Sequence, residues 1–146
     1  MGGSSSGTRE HYIYNNTFYC PSRTFLDDMT GPREVRNNLF VAPGGGLKVA
    51  TAVYANNAYL GGIVPPAGET GSVLGDPRLV AGGRGQSSLD VPGYRLLTGS
   101  PLLGAGVVVA DDGGRDFFGN PTSGASSVGA PNIAVANAHR LRPRCG

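Results

Sequence analysis

Apolar side chains along this chain fall in short clusters, such as Leu39-Phe40-Val41 and Val107-Val108-Val109, and glycine and proline lie mostly between them. Glycine and proline mark turns, so the pattern predicts short strands joined by many bends, with little helix. Three of the clusters superimpose. They are Tyr12-Ile13-Tyr14-Asn15-Asn16-Thr17-Phe18-Tyr19, Val35-Arg36-Asn37-Asn38-Leu39-Phe40-Val41 and Tyr54-Ala55-Asn56-Asn57-Ala58-Tyr59-Leu60. In each, an Asn-Asn pair follows Ile13, Val35 or Tyr54 by two positions and precedes an aromatic ring, Phe18, Phe40 or Tyr59. The first asparagine of each pair is Asn15, Asn37 or Asn56, so the spacing is nearly regular.

A period of about 20 residues suits one turn of a strand-and-bend solenoid and is too short for a helical hairpin repeat. The β-branched and aromatic flanks favour strands. Stacked turns would set equivalent residues about 4.8 Å apart. An asparagine at the same bend of each turn can then donate its amide to the carbonyl of the asparagine on the next, satisfying groups that no strand pairing reaches. Asn15, Asn16, Asn37, Asn38, Asn56 and Asn57 are the ladder candidates, and asparagine also tolerates the left-handed backbone of a sharp bend. The alternative is that Asn-Asn marks hairpin turns of an antiparallel sheet, where Asn-Gly is the commoner pair.

Composition changes this picture little. Glycine (25) and proline (11) are in excess, but 39% of residues are hydrophobic and clustered, so order is expected. The net charge is +2, with Lys48 the single lysine and no basic stripe, which argues against nucleic acid. No apolar run is long enough to cross a membrane, and no signal peptide is visible in the Gly/Ser-rich start. Cys20 and Cys145 would suit an oxidising compartment if paired. Asn15-Asn16-Thr17 is a formal glycosylation sequon.

The repeats resemble the coils of right-handed parallel β-helix proteins of the pectate-lyase-like superfamily. The second half strengthens the resemblance: Gly75-Asp76-Pro77-Arg78-Leu79-Val80, Tyr94 through Gly106 with Ser100-Pro101 and Ala105-Gly106, and Arg115-Asp116-Phe117-Phe118-Gly119-Asn120-Pro121 are similar to that family's closing coils. The resemblance implies an all-β right-handed parallel β-helix of about three coils plus a C-terminal closing segment, over residues 10–136. Residues 1–9 would be a flexible start and 137–146 a basic tail. The final strand departs from the family, since Ala134-Val135-Ala136-Asn137 follows Pro131-Asn132-Ile133 where a closing aromatic is usual. The implied function is the C-terminal part, or a shortened relative, of a secreted, extracellular polysaccharide-processing protein of lyase or glycosidase class. The alternative is a non-catalytic glycan-binding or adhesin-like module. A solenoid without a cap exposes strand edges, so self-association through the open N-terminal coil is expected.

Candidate chemistry follows from both readings. Asp27 and Asp28 could supply the carboxylate pair of glycoside hydrolysis. In the lyases of this family carboxylates hold calcium and a Lys or Arg removes a proton, which would place Arg23 beside them. Adjacent carboxylates converge only in a loop, and Met29-Thr30-Gly31-Pro32 suggests one; the alternative is a turn with solvated charges. Asp111-Asp112-Gly113-Gly114-Arg115-Asp116 is a second acidic loop where Ca2+ is possible, although it lacks EF-hand spacing. Tyr14, Tyr19 and Phe40 could form a flat platform for a glycan, with Arg36 as a further substrate contact; alternatively the rings pack under crossing loops. No metal-ligand spacing surrounds His11 or His139.

Overall fold

The computed structural model of the chain describes residues 11–19, 33–41, 52–83, 88–122, 124 and 126–129. Its seven strands are β1 (His11–Tyr14), β2 (Thr17–Tyr19), β3 (Arg33–Arg36), β4 (Leu39–Val41), β5 (Val53–Ala55), β6 (Ala58–Leu60) and β7 (Val73–Leu74). Every strand pairing is parallel, in two sheets ordered β1-β3-β5 and β2-β4-β6-β7. The alternative of antiparallel hairpins at the Asn-Asn pairs is thereby excluded. Successive strands such as β1 and β2 belong to different sheets, so each repeat crosses from the first sheet to the second at its Asn-Asn bend.

The register matches the sequence repeat. His11 pairs with Arg33, Thr17 with Leu39 and Leu39 with Ala58, the same offsets that separate the Asn-Asn pairs. A fourth, shorter repeat follows, with Ala58 opposite Val73 and Ala55 bridging Thr70. It has no Asn-Asn signature: Gly71 and Ser72 occupy the register positions of Asn56 and Asn57. The bend demands a left-handed residue in every repeat. Asn15, Asn37 and Asn56 have φ of 56°, 54° and 53°, and Gly71 has 69°. Asparagine and glycine meet that demand at the lowest steric cost.

Alternation along the strands divides the core in two. Val35, Tyr54, Phe40 and Tyr59, with Ile13 and Phe18 against them, pack between the sheets. Within this core Phe18, Phe40 and Tyr59 stack in a column, with ring centroids 5.0 and 5.5 Å apart and rings tilted only 3° and 10°. Leu39, Val41 and Ala58 face the other way, against Leu79, Leu96, Leu102 and Val128. Leu39-Phe40-Val41 is therefore buried on both faces, each large side chain contributing about 1.5–3 kcal/mol.

The C-terminal half thus covers the outer side of the second sheet. Among the described residues it adds a 3₁₀ segment (Ser88–Tyr94) and isolated antiparallel bridges at Leu79–Leu96 and Arg115–Pro121, with no further parallel strand. The expected closing coils are here a lateral cover, because the apolar residues at 79–102 match the outward row of Leu39, Val41 and Ala58. The flexible start (1–9) and the basic tail (137–146) lie outside the described residues, as do Cys20 and Cys145.

Candidate functional site: asparagine rows and an aromatic cleft

Two asparagine rows run across the repeats at the bend. In the row of second asparagines, Asn16 donates both its main-chain N–H and its amide to Asn38 Oδ1 (3.0 and 3.2 Å). Asn38 does the same to Asn57 Oδ1 (2.9 and 3.0 Å). The amides of Asn38 and Asn57 also donate to the carbonyls of Ile13 and Val35 in the preceding repeat (both 2.8 Å). Asn38 and Asn57 are fully buried, so these contacts replace water entirely.

The row ends on a carboxylate. Asn57 donates its N–H and amide to Glu69 Oε1 (3.0 and 2.9 Å), and the Tyr59 hydroxyl donates to Glu69 Oε2 (2.6 Å). Burial, reinforced by this carboxylate, pushes the Tyr59 phenol pKa well above its ordinary value. Glu69 precedes the bend of the fourth repeat by two positions and reaches back to do the work of an asparagine carbonyl. Nothing in the Asn-Asn pattern points to it.

The row of first asparagines is capped by the closing segment. Asn56 donates to Ala105 O (2.9 Å), Asn37 to Val107 O (2.7 Å) and Asn15 to Asp112 Oδ2 (3.3 Å). Val107 N–H returns a bond to Asn37 Oδ1 (2.9 Å), and Asn37 also donates to Asn15 Oδ1 (3.1 Å). Residues 105–112 therefore form a strap across three repeats. Gly106 permits the close approach, since a Cβ there would lie 2.8 Å from Ser126 O and 2.9 Å from Asn37 Oδ1.

Where the strap passes the first repeat, a cleft of about 760 Å3 opens. Tyr12, Tyr14, Asn16 and Tyr19 line one side, and Tyr94, Asp112, Arg115, Asp116 and Phe117 the other. Tyr12 and Phe117 are 58% and 70% exposed. Tyr12 and Tyr14 lie 5.9 Å apart, and Tyr19 meets Tyr94 edge-on at 5.5 Å. Tyr14 donates its hydroxyl to Glu34 Oε2 (2.6 Å), and Glu34 pairs with Arg36 (3.2 Å). Burial first, then the Glu34 hydrogen bond, push the Tyr14 phenol pKa up to about 12. Burial likewise raises that of Tyr19, with Tyr94 and Asp76 adding to it. These phenols are neutral hydrogen-bonding groups, not nucleophiles, near neutral pH.

The carboxylates of the cleft are engaged by their own turns. Asp112 Oδ1 accepts from Gly114 N–H (2.8 Å) and the Thr122 hydroxyl (3.1 Å), and its Oδ2 from Asn15. Asp116 Oδ1 accepts from Phe118 and Asn120 N–H (2.9 and 2.8 Å), and its Oδ2 from the Asn120 amide (2.9 Å). The acidic loop is thus a hydrogen-bonded turn. No group of three or more His, Cys, Asp or Glu arranged to hold a metal occurs among the described residues. Nor does any helix among them have the length and apolarity to cross a membrane.

Of the sequence-derived contacts, Tyr14 and Tyr19 line the cleft, whereas Arg36, opposite Tyr14 in the strand register and paired with Glu34, is not among its lining residues. Phe40 is a correction: it is fully buried in the aromatic column, because alternation turns it inward, and it presents no face to a sugar. Asp27, Asp28 and Arg23 lie outside the described residues. Asp112, part of the acidic loop seen in the sequence, reaches the cleft at the end of the strap, and Tyr94 and Phe117 reach it from the segments on either side, a long-range arrangement that the repeat does not encode. No protein-family model and no curated protein sequence matches the chain.

Proposed function

We propose that this chain is a glycan-binding part of a secreted polysaccharide-processing protein of the right-handed parallel β-helix type. Parallel pairing in register with the sequence repeat, with asparagine rows at the bends, supports the β-helix reading. A right-handed crossover is the form nearly all parallel connections take. The observation that carries the functional reading is the cleft of about 760 Å3, in which Tyr12, Tyr14, Tyr94 and Phe117 supply rings for stacking on the apolar faces of sugars. Asp112 and Asp116 are occupied by their own turns, which favours binding over catalysis by the described residues.

Affinity electrophoresis through gels containing neutral or acidic polysaccharides tests this reading. Retardation without release of reducing or unsaturated ends is expected, and Tyr94→Ala or Tyr14→Ala should weaken it about tenfold, the loss of one stacked ring. Release of ends, abolished in Asp27→Ala or Asp28→Ala with folding intact, would instead establish a lyase or glycosidase. Absence of both retardation and released ends across the panel would refute the glycan reading.

A further inference from the structure

The last strand of the array, β7, lies within a stretch described without interruption from residue 52 to residue 83, and it forms the edge of the second sheet. Val73 N–H donates to Asn57 O and Gly75 N–H to Tyr59 O (2.9 and 3.2 Å). Peptide groups alternate in direction along a strand, so those of Ser72 and Leu74 point away from β6. Neither residue makes a main-chain hydrogen bond on that outer side among the described residues. Leu74 stands at the register position of Tyr59, which turns its side chain toward the interior of the repeat, yet it is 64% exposed. A Cβ added at Gly75 would meet nothing within 4 Å, so there is open space beside the edge. Nor does charge guard it. From residue 68 to residue 75 the one charged side chain is Glu69, and Asn57 and Tyr59 occupy both of its oxygens. Sheets that stay unpaired blunt such an edge with lysine, proline or a bulge; this one carries serine, valine and leucine between glycines.

We propose that two copies of this chain pair through their fourth repeats, β7 against β7, antiparallel about a two-fold axis at Val73. The edge is its own complement in that arrangement. Ser72 N–H and C=O meet the C=O and N–H of Leu74 in the other copy, and symmetry supplies the reverse exchange. Every outward donor and acceptor of the two residues then has a partner. The two Leu74 side chains become diagonal neighbours on one face, close enough for long side chains to cover each other. Each copy offers one such edge and the contact is isologous, so association closes at the dimer. A junction this short makes the dimer reversible and dependent on concentration. Ser72, Val73 and Leu74 take no part in lining the cleft, so the pairing stands apart from the glycan reading.

Sedimentation velocity of the whole chain over a concentration series tests the proposal. The wild type should pass from monomer to dimer and no further. Leu74→Lys sets a charge at the junction and should raise the dissociation constant at least about tenfold. Leu74→Pro removes one outward N–H and spares the ladder to β6, which uses Val73 and Gly75, so it should act in the same direction. Far-ultraviolet circular dichroism checks that each variant folds. Val73→Cys reads the register. Residues facing each other in a non-hydrogen-bonded antiparallel pair have Cα atoms about 4.5 Å apart, within reach of a disulfide. Proteolysis and mass spectrometry of the oxidised variant should therefore yield a peptide joined through position 73 of both copies. A wild type that stays monomeric, one that grows past a dimer, lysine and proline variants that dimerise like wild type, or a dimer in which position 73 never joins to itself would each overturn it.

Discussion

Replacing Asn57 by alanine isolates the contribution of the buried row. Asn57 is fully buried, and its side chain makes four hydrogen bonds: Oδ1 accepts from Asn38 N–H and amide, and Nδ2 donates to Val35 O and Glu69 Oε1. The Asn38 amide keeps Ile13 O and Arg36 O as alternatives, but Asn38 N–H is left buried without a partner. Ordinary hydrogen bonds contribute about 0.5–1.5 kcal/mol net, and an orphaned buried donor costs about 1–3 kcal/mol. The expected loss is therefore about 4 kcal/mol, a large fraction of the total stability of a domain this size. Asn57→Asp is the sharper comparison. Its shape is nearly unchanged, but an oxygen now faces both Val35 O and the Glu69 carboxylate, so at neutral pH it should cost at least as much as alanine. Asn16→Ala, at the exposed end, should cost under about 1 kcal/mol because water replaces what is lost. Urea unfolding followed by far-ultraviolet circular dichroism and tyrosine emission measures all three; the chain has six tyrosines and no tryptophan. An Asn57→Asp protein as stable as wild type, or equal costs at positions 57 and 16, would refute the reasoning.

Three further outcomes follow from the same geometry. Glu69→Gln keeps the oxygen that Asn57 needs and should be tolerated in urea unfolding, whereas Glu69→Ala removes three hydrogen bonds and should cost about 2–3 kcal/mol. Gly106→Ala pushes a methyl group against Ser126 O and Asn37 Oδ1 and should loosen the strap by about 1–3 kcal/mol, read as faster amide exchange at Val107 and Asn37. Tyr14 and Tyr59 have folded pKa values above the ordinary 10, so each contributes stability below pH 10 that is lost as pH rises through the folded value. Melting temperature should therefore fall above pH 10, and Tyr14→Phe should flatten that fall between pH 10 and about 12.

The parallel register is legible in the sequence because the bend constrains residue choice. A left-handed bend position whose side-chain amide must also reach acceptors on the closing segment admits little but asparagine, so Asn15, Asn37 and Asn56 recur at the register step. The fourth repeat is hidden because its bend needs only backbone freedom, which Gly71 supplies without an amide. Phe40 reads as an outward ring because a run such as Leu39-Phe40-Val41, buried on both faces, shows no alternation from which to tell inside from outside. The cleft is only half visible. Tyr14 and Tyr19 belong to a repeat, while Tyr94, Asp112 and Phe117 arrive through contacts far apart in sequence, which no local pattern encodes.

The strap has a consequence for how the chain melts. Arrays of similar units ordinarily fray from an end, one unit at a time, because each touches only its neighbours. Here a single later segment grips Asn56, Asn37 and Asn15 across sequence separations of 49, 70 and 97. Releasing the outermost unit means peeling that grip, and peeling it unsettles the inner two. Such distant tethering makes folding slow to nucleate and abrupt once begun, so the array behaves as a bolted assembly and not as a zipper.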